Sequence, residues 1–303
     1  MKRRLVGVFR LHKPVLLETV LSYLKLKPGD IVLDGTVGSG GHAEAILKVI
    51  GSDGFLIGLD QDEEAIKRTQ SRLEHVDGRF KLFQSNFRFL DQVLSSLNFN
   101  KVNAVLLDVG VSTDQLEVSR RGFSFQQDGP LDMRMDQGQT QTAADLVNGL
   151  SQEELTMIFR QYGEERYARQ IAQTIVRGRA SNPFRTTGTL KKVVEEAVPT
   201  RYRYGRIHPA TRVFQALRIA VNDELAVLEE TLPKAFDCLE FGGKLCIISF
   251  HSLEDRIVKH FFVKQKAAGT GKIITKKPVQ PNDQEIESNP KSRSAKLRVI
   301  ERN

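Results

Sequence analysis

Cysteine is scarce: Cys238 and Cys246 are the only two among 303 residues. Two thiols outside a CxxC build neither a zinc site nor a disulfide framework, and they suit a reducing cytoplasm. No apolar run approaches the roughly 18 residues that would span a bilayer. Val6 to Phe9 is too short for the apolar core of a signal peptide. Acid is in deficit. Asp and Glu number 37 against 45 Lys and Arg, a net charge of +8. From Arg256 to Asn303 there are 12 basic and 4 acidic residues, an excess of 8 in the last sixth of the chain. A polyanionic partner fits that balance, and a solvated basic tail competes with it. At 40% hydrophobic and 27% charged residues, one large globular domain or two is expected.

What is present is periodic. Short apolar runs at 31–33, 55–59, 80–83 and 104–107 read as strands, and three of them end at Asp34, Asp60 and Asp108. Helical patterns separate them, so the spacing predicts βαβ units and a parallel sheet. From 111 to 139 the chain is irregular, and from 142 to 198 only helices are expected, one opening on the capping box Ser151-x-x-Glu154. A loop at 199–209 precedes a long helix through Val213, Leu217 and Val221. Residues 244–250 read as a strand of the first sheet, and Ser252-x-x-Asp255 as the cap of the next helix. Residues 266–294 read as a loop, and Leu297 to Ile300 as a last edge strand. The expected fold is α/β: a Rossmann-like sheet domain, 1–113 and 211–303, interrupted by an all-helical insertion, 114–210.

Asp34-Gly35-Thr36-Val37-Gly38-Ser39-Gly40-Gly41-His42 joins a strand to a helix. Glycine permits a sharp turn and close approach of a ligand, and Asp60 at the next strand end can accept from both ribose hydroxyls of an adenosine cofactor. Gly38-x-Gly40-x-x-Ala43 also satisfies the dinucleotide pattern. An acid at position 34 would repel a pyrophosphate but can take a methionine ammonium or order the turn. It therefore favours S-adenosylmethionine over NAD.

Asp108 ends the fourth strand beside the switch point of the sheet, where ligands bind in open α/β folds. Neither Pro-Cys nor an Asp/Asn-Pro-Pro-aromatic motif is there, so spacing leaves the target atom open. A carboxylate and a hydroxyl, Asp108 and Ser112, stand beside the expected donor. Such a carboxylate can accept from an exocyclic amine and concentrate density on its nitrogen. Capping the turn at Gly110 to Thr113 is its alternative role.

Six blocks, DGTVGSGGH (34–42), LLDVGVS (106–112), RGFSFQQDGPLDMRMD (121–136), YGEERYA (162–168), HPATRVFQALRI (208–219) and SFHSLEDRIVK (249–259), together resemble the bacterial 16S rRNA (cytosine(1402)-N(4))-methyltransferase family. The resemblance implies a class I methyltransferase sheet with an inserted helical domain. It implies S-adenosylmethionine-dependent methylation of one cytosine amine in the decoding centre of the small ribosomal subunit. Its donor-contacting positions fall on Gly40, Gly41, His42, Asp60, Phe87, Asp108 and Gln115. The expected cofactor set is these together with Asp34 and Gly38.

Asp132 and Arg134, with Arg121, either line the active site or form an internal ion pair. His208, Arg212 and Gln215 open a helix expected to face the cleft. His251 follows the fifth strand, as a catalytic group or a helix cap. Arg201, Arg203 and Arg206 alternate with Tyr202 and Tyr204, which suits phosphate contact with base stacking. The expected catalytic candidates are Asp108, Ser112, Asp132 and His251. Arg134, Arg201, Arg203, Arg206, His208, Arg212 and Gln215 are the substrate candidates. No metal and no membrane are expected, the partner is 16S rRNA, and the oligomeric state is open, a homodimer included. Two rivals are an NAD-dependent oxidoreductase and a non-catalytic rRNA-binding assembly factor with a retained pocket.

Overall fold

Strands form where branched and aromatic residues run together, and helices where apolar residues recur every third or fourth position. The computed structural model describes residues 14–205 and 207–303. Val6 to Phe9 and Arg206 lie outside the described residues. The first half alternates α1 (Leu17–Leu24), β1 (Ile31–Asp34), α2 (Gly41–Ile50), β2 (Phe55–Asp60), α3 (Glu63–Leu73), β3 (Arg79–Gln84), α4 (Leu90–Ser96) and β4 (Val102–Asp108). Helices then dominate: α5 (Thr113–Glu117), α6 (Ala143–Gly149), α7 (Gln152–Gln161), α8 (Ala168–Ser181), α9 (Thr187–Ala197), α10 (Thr200–Arg203), α11 (Pro209–Asn222) and α12 (Glu224–Asp237). The chain finishes with β5 (Leu239–Ser249), α13 (Ser252–Ala267), β6 (Gly271–Ile273), α14 (Asp283–Ser288) and β7 (Lys296–Arg302).

The strands form one sheet in the order β3-β2-β1-β4-β5-β7-β6. The first five are parallel, and β7 runs antiparallel between β5 and β6. This is the class I methyltransferase arrangement. Alternate residues feed opposite faces, as the two-residue period of a strand requires. Leu33, Ile57, Val105, Leu107 and Ile247 meet α12 and α13 residues in one core. Val32, Leu56, Ala104, Leu106 and Cys246 meet α1 and α2 residues in the other.

The expected edge strand at 297–300 is instead interior. The edge is β6, hidden in the stretch expected to be a loop. It has three residues and begins at a glycine, whose added Cβ would stand 2.8 Å from Ile300 and 3.0 Å from the Phe236 ring. So short an element leaves no periodicity to read. α14 lies in the same stretch, and α10 in the expected loop at 199–209.

A third core joins Phe123, Leu155, Phe159, Ile171, Leu190 and Val194 to Val213, Leu217 and Val221 of α11. The expected limits of the insertion, 114 and 210, fall inside α5 and in the first turn of α11. Arg121 ties the irregular stretch to the sheet region. Its guanidinium, 3% exposed, stands 2.7 Å from Asp62 at the start of α3 and donates to the carbonyls of Arg134 and Met135. Removing one partner of such a pair leaves a buried charge uncompensated. Arg121→Met is expected to cost about 3–5 kcal/mol, seen as a lowered urea midpoint at unchanged slope. Lys67→Met, at an exposed i,i+4 pair, should leave the midpoint where it is.

Candidate active site

The carboxyl ends of β1, β2 and β4 lie side by side, because parallel register sets Asp34 opposite Gly58 and Leu106. The chain leaves β1 through a close-packed turn: a Cβ on Gly35 would come within 2.5 Å of Leu107 Cδ2 and 3.2 Å of Phe87. Asp60 then orders the loop. One of its oxygens accepts from the Gly38 amide at 2.9 Å and the other from the Asp62 amide at 2.9 Å. Thr36 links the strands, accepting from the Asp108 amide at 2.6 Å while its own amide donates to Asp34.

A cleft of about 470 Å³ opens over this edge. Gly38, Gly41, His42, Asp60, Phe87, Asp108 and Gln115 of the expected cofactor set line it. Asp34 and Gly40 lie behind its surface. Asp34 is fully buried beneath Thr36. A Cβ on Gly40 would meet Thr69 and Arg72 of α3 at 3.0–3.2 Å, so this glycine serves helix packing.

Charge is concentrated here. Asp34 Oδ2 and Asp108 Oδ1 are buried and accept no hydrogen bond from the described residues. Burial first, then the nearby Asp34 and Glu254 carboxylates, push Asp108 up to about 8. Burial raises Asp34 to about 7, with Asp60 adding repulsion and the Thr36 amide opposing it. Burial likewise carries Asp60 to about 6 against two amide hydrogen bonds. The Asp108 side chain still shows about a quarter of its surface to the cleft, 24%. Asp108 and Asp60 present acceptors to the cleft, with His42 Nε2 3.9 Å from Asp108, and so many carboxylates suit a ligand that brings positive charge.

Ser112 and Gln115 both line the cleft and both cap α5: Gln115 N donates to Ser112 Oγ, and Ser112 N to Gln115 Oε1. Gln115 Nε2 donates to Asp62 at 3.0 Å. His251 lines the cleft too, but it is the N-cap of α13, the place expected for Ser252. Its Nδ1 accepts from the Glu254 amide and its Nε2 stands 3.1 Å from a Glu254 oxygen. Both ring nitrogens therefore face the helix's own first turn.

The remaining candidates divide. Gln215 lines the cleft, donating to the Tyr162 carbonyl. Asp132 does not line it: both its oxygens hold Arg134, which also reaches the carbonyls of Gln137 and Gln139. The internal ion pair is thus the observed arrangement for Asp132 and Arg134. His208 caps α11, stacks on Phe125 and meets Glu195 at 2.8 Å, while Arg212 donates to the Glu164 carbonyl. Arg203 donates to the Val198 carbonyl, and Tyr202 to the buried Glu165. Arg201 is exposed on α10, and Tyr204 stands 85% exposed just after it.

Gln215, expected from the sequence to face the cleft, belongs to a polar stripe whose other members sequence reasoning missed. Thr211, Gln215, Arg218 and Asn222 all line the cleft from α11. Their spacing of four, three and four is one helical face, a signal present in the sequence. Arg218 grips Glu224 through two bonds of 2.8 and 2.9 Å. Glu224, His251 and Glu254 lie close enough to share a cation, but the Arg218 guanidinium already neutralises Glu224. Cys246 is fully buried in β5 with its thiol pushed above the usual range, far from nucleophile behaviour.

The chain is similar to known proteins over nearly its whole length. "Ribosomal RNA small subunit methyltransferase H" of Syntrophotalea carbinolica is 48% identical over 307 residues, 96% of this chain and 98% of that one. The protein of the same name from Persephonella marina is 47% identical, covering 96% of this chain and 99% of its own. A Streptococcus mutans methyltransferase solved with SAH covers 100% of both chains at 13% identity and a TM-score of 0.49. The MraW methylase family matches residues 10–303, and the chain belongs to that family, whose methyl donor is S-adenosylmethionine.

Proposed function

We propose that this protein methylates the exocyclic N4 amine of cytosine 1402 in the decoding centre of 16S rRNA, acting on the small ribosomal subunit in the cytoplasm. The name carried by the relatives supports the rRNA substrate. Among the described residues no helix is long and apolar enough to cross a membrane. The observation that carries the reading is Asp108, whose buried Oδ1 lacks a partner at the edge of the cleft.

Bound, the donor supplies an electrophilic methyl group on a sulfonium. Gly38, Gly41 and His42 would border its amino-acid end, Asp60 would take the ribose, and Phe87 would pack against the base. Asp108 accepts from the cytosine amine, orients its lone pair for in-line attack and stabilises the positive charge that develops there. The methylated amine is acidic once it carries that charge, so no strong base is required beforehand. Cytosine C5 chemistry would need a thiolate, and neither cysteine lines the cleft. The helical unit, 114–210, recognises RNA. Arg201 and Tyr204 offer a cation and a stacking face side by side.

Mass mapping of nucleosides in small-subunit RNA, with and without the protein, tests the reading. N4-methylcytosine at one site is expected, and its absence would overturn it.

Asp108→Asn keeps size and one acceptor but loses charge. Turnover should fall about 10²–10³-fold with donor binding largely retained. Near-normal turnover would make the carboxylate a structural group only. The same change carries a stability signature. An acid whose folded pKa lies above its unfolded value costs stability as pH rises, here from about 4 through about 8. Ligand-free Asp108→Asn should therefore melt higher than wild type at pH 8 and alike at pH 4.

A cationic donor favours the ionised carboxylates. Donor affinity should thus rise between pH 6 and 7.5, with proton release as Asp34 and Asp108 ionise. Calorimetry in buffers of different ionisation enthalpy measures it, and no proton release would contradict the shared-charge reading. Replacing Arg201 by Gln and Tyr204 by Ala should weaken RNA binding and lower its salt slope by roughly one, with donor affinity unchanged.

A further inference from the structure

The donor carries a carboxylate as well as two positive centres, and the acidic cleft offers few cations for it. Among the described residues lining the cleft, the Lys and Arg side chains are Arg218 and Lys291. Arg218 is engaged by Glu224 through both of its bonded nitrogens. Among the described residues Lys291 is held by Glu117, at 2.7 Å, and the two side chains are 39% and 67% exposed. Exposed pairs of this kind hold weakly and exchange partners readily.

Its position identifies the partner. Lys291 and Ser294 lie in the turn before β7 and line the cleft together with Pro14 and Val15. Pro14 packs on Gly41, where an added Cβ would stand 2.2 Å from its ring. The adjoining Leu16 amide donates to Glu285 of α14 at 2.6 Å. The C-terminal segment is therefore strapped to the glycine-loop end of the cleft, where the reading above puts the amino-acid end of the donor. A basic side chain entering there meets the group that the carboxylates repel.

Resting on that reading, we propose that Lys291 is the counter-ion of the methyl donor's carboxylate, leaving Glu117 to take it. Lys291 thereby completes the donor site from the far end of the sequence, balancing the charge that Asp34 and Asp108 provide for the donor's cations.

The test is calorimetric titration of the full chain with S-adenosylmethionine and with decarboxylated S-adenosylmethionine, which lacks only that carboxylate. Wild type should prefer the intact donor about tenfold, the scale of a partly solvated hydrogen bond to a charged group. Lys291→Gln should lose about tenfold for the intact donor and nothing for the decarboxylated one, which also reports that the variant is folded. Lys291→Arg should restore the preference. An unchanged preference in Lys291→Gln would overturn the proposal and leave Lys291 to an RNA phosphate, visible as a reduced salt slope. Equal losses for both ligands would overturn it as well. Failure of wild type to bind either ligand would remove the donor assignment itself.

Discussion

Asp34, Asp60 and Asp108 end adjacent parallel strands, and the parallel register forces these three like charges into one buried edge. Burial raises all three, and repulsion from neighbouring carboxylates adds to it. Asp60 is satisfied by loop amides, and Asp34 takes one amide while keeping an oxygen bare. Asp108 receives no side-chain or amide donor on Oδ1. A site that leaves acceptors unpaired costs stability in the free protein and gains it when a cation arrives. The same carboxylates thus make the pocket poor for a pyrophosphate and suited to a sulfonium.

The helical unit meets this edge through a few fixed points. Asp62 is the busiest of them: it caps α3, accepts from Gln115 and holds Arg121. One buried carboxylate therefore couples the start of α3, the turn after β4 and the stretch that opens the helical unit. α11 faces two ways. Val213, Leu217 and Val221 enter the helical core, whereas Thr211, Gln215, Arg218 and Asn222 turn to the cleft. Side chains on one helix at these spacings share a rigid frame, so substrate-side groups are positioned by the packing of the helical core.

Several motif residues also have scaffolding roles, and Ser112 and His251 line the cleft as well. Ser112 and His251 each open a helix through a capping box, and Asp132 serves Arg134. Polar residues at strand ends are needed twice, to cap the following helix and to meet a ligand, and a motif does not say which. For His251 the deciding residue is Glu254, three positions on, buried and held below its usual range: burial pushes it up, but the His251 bond prevails.

The strands, their alternation with helices, the helical run and the strand-end aspartates follow from the sequence alone, because hydrophobic period and glycine placement are local properties. The tertiary structure alone decided the rest. β6 has too few residues to show a period, and β7 is interior only because β6 pairs with it. Lys291 stands at the cleft because β7 returns beside β5 and brings the preceding turn to the ligand edge. Which acids keep bare oxygens depends on donors contributed by distant segments: the Gly38 amide reaches Asp60 across 22 positions, and Gln115 reaches Asp62 across 53. Partners so far apart in sequence are chosen by the packing of the whole chain, and no local pattern records them.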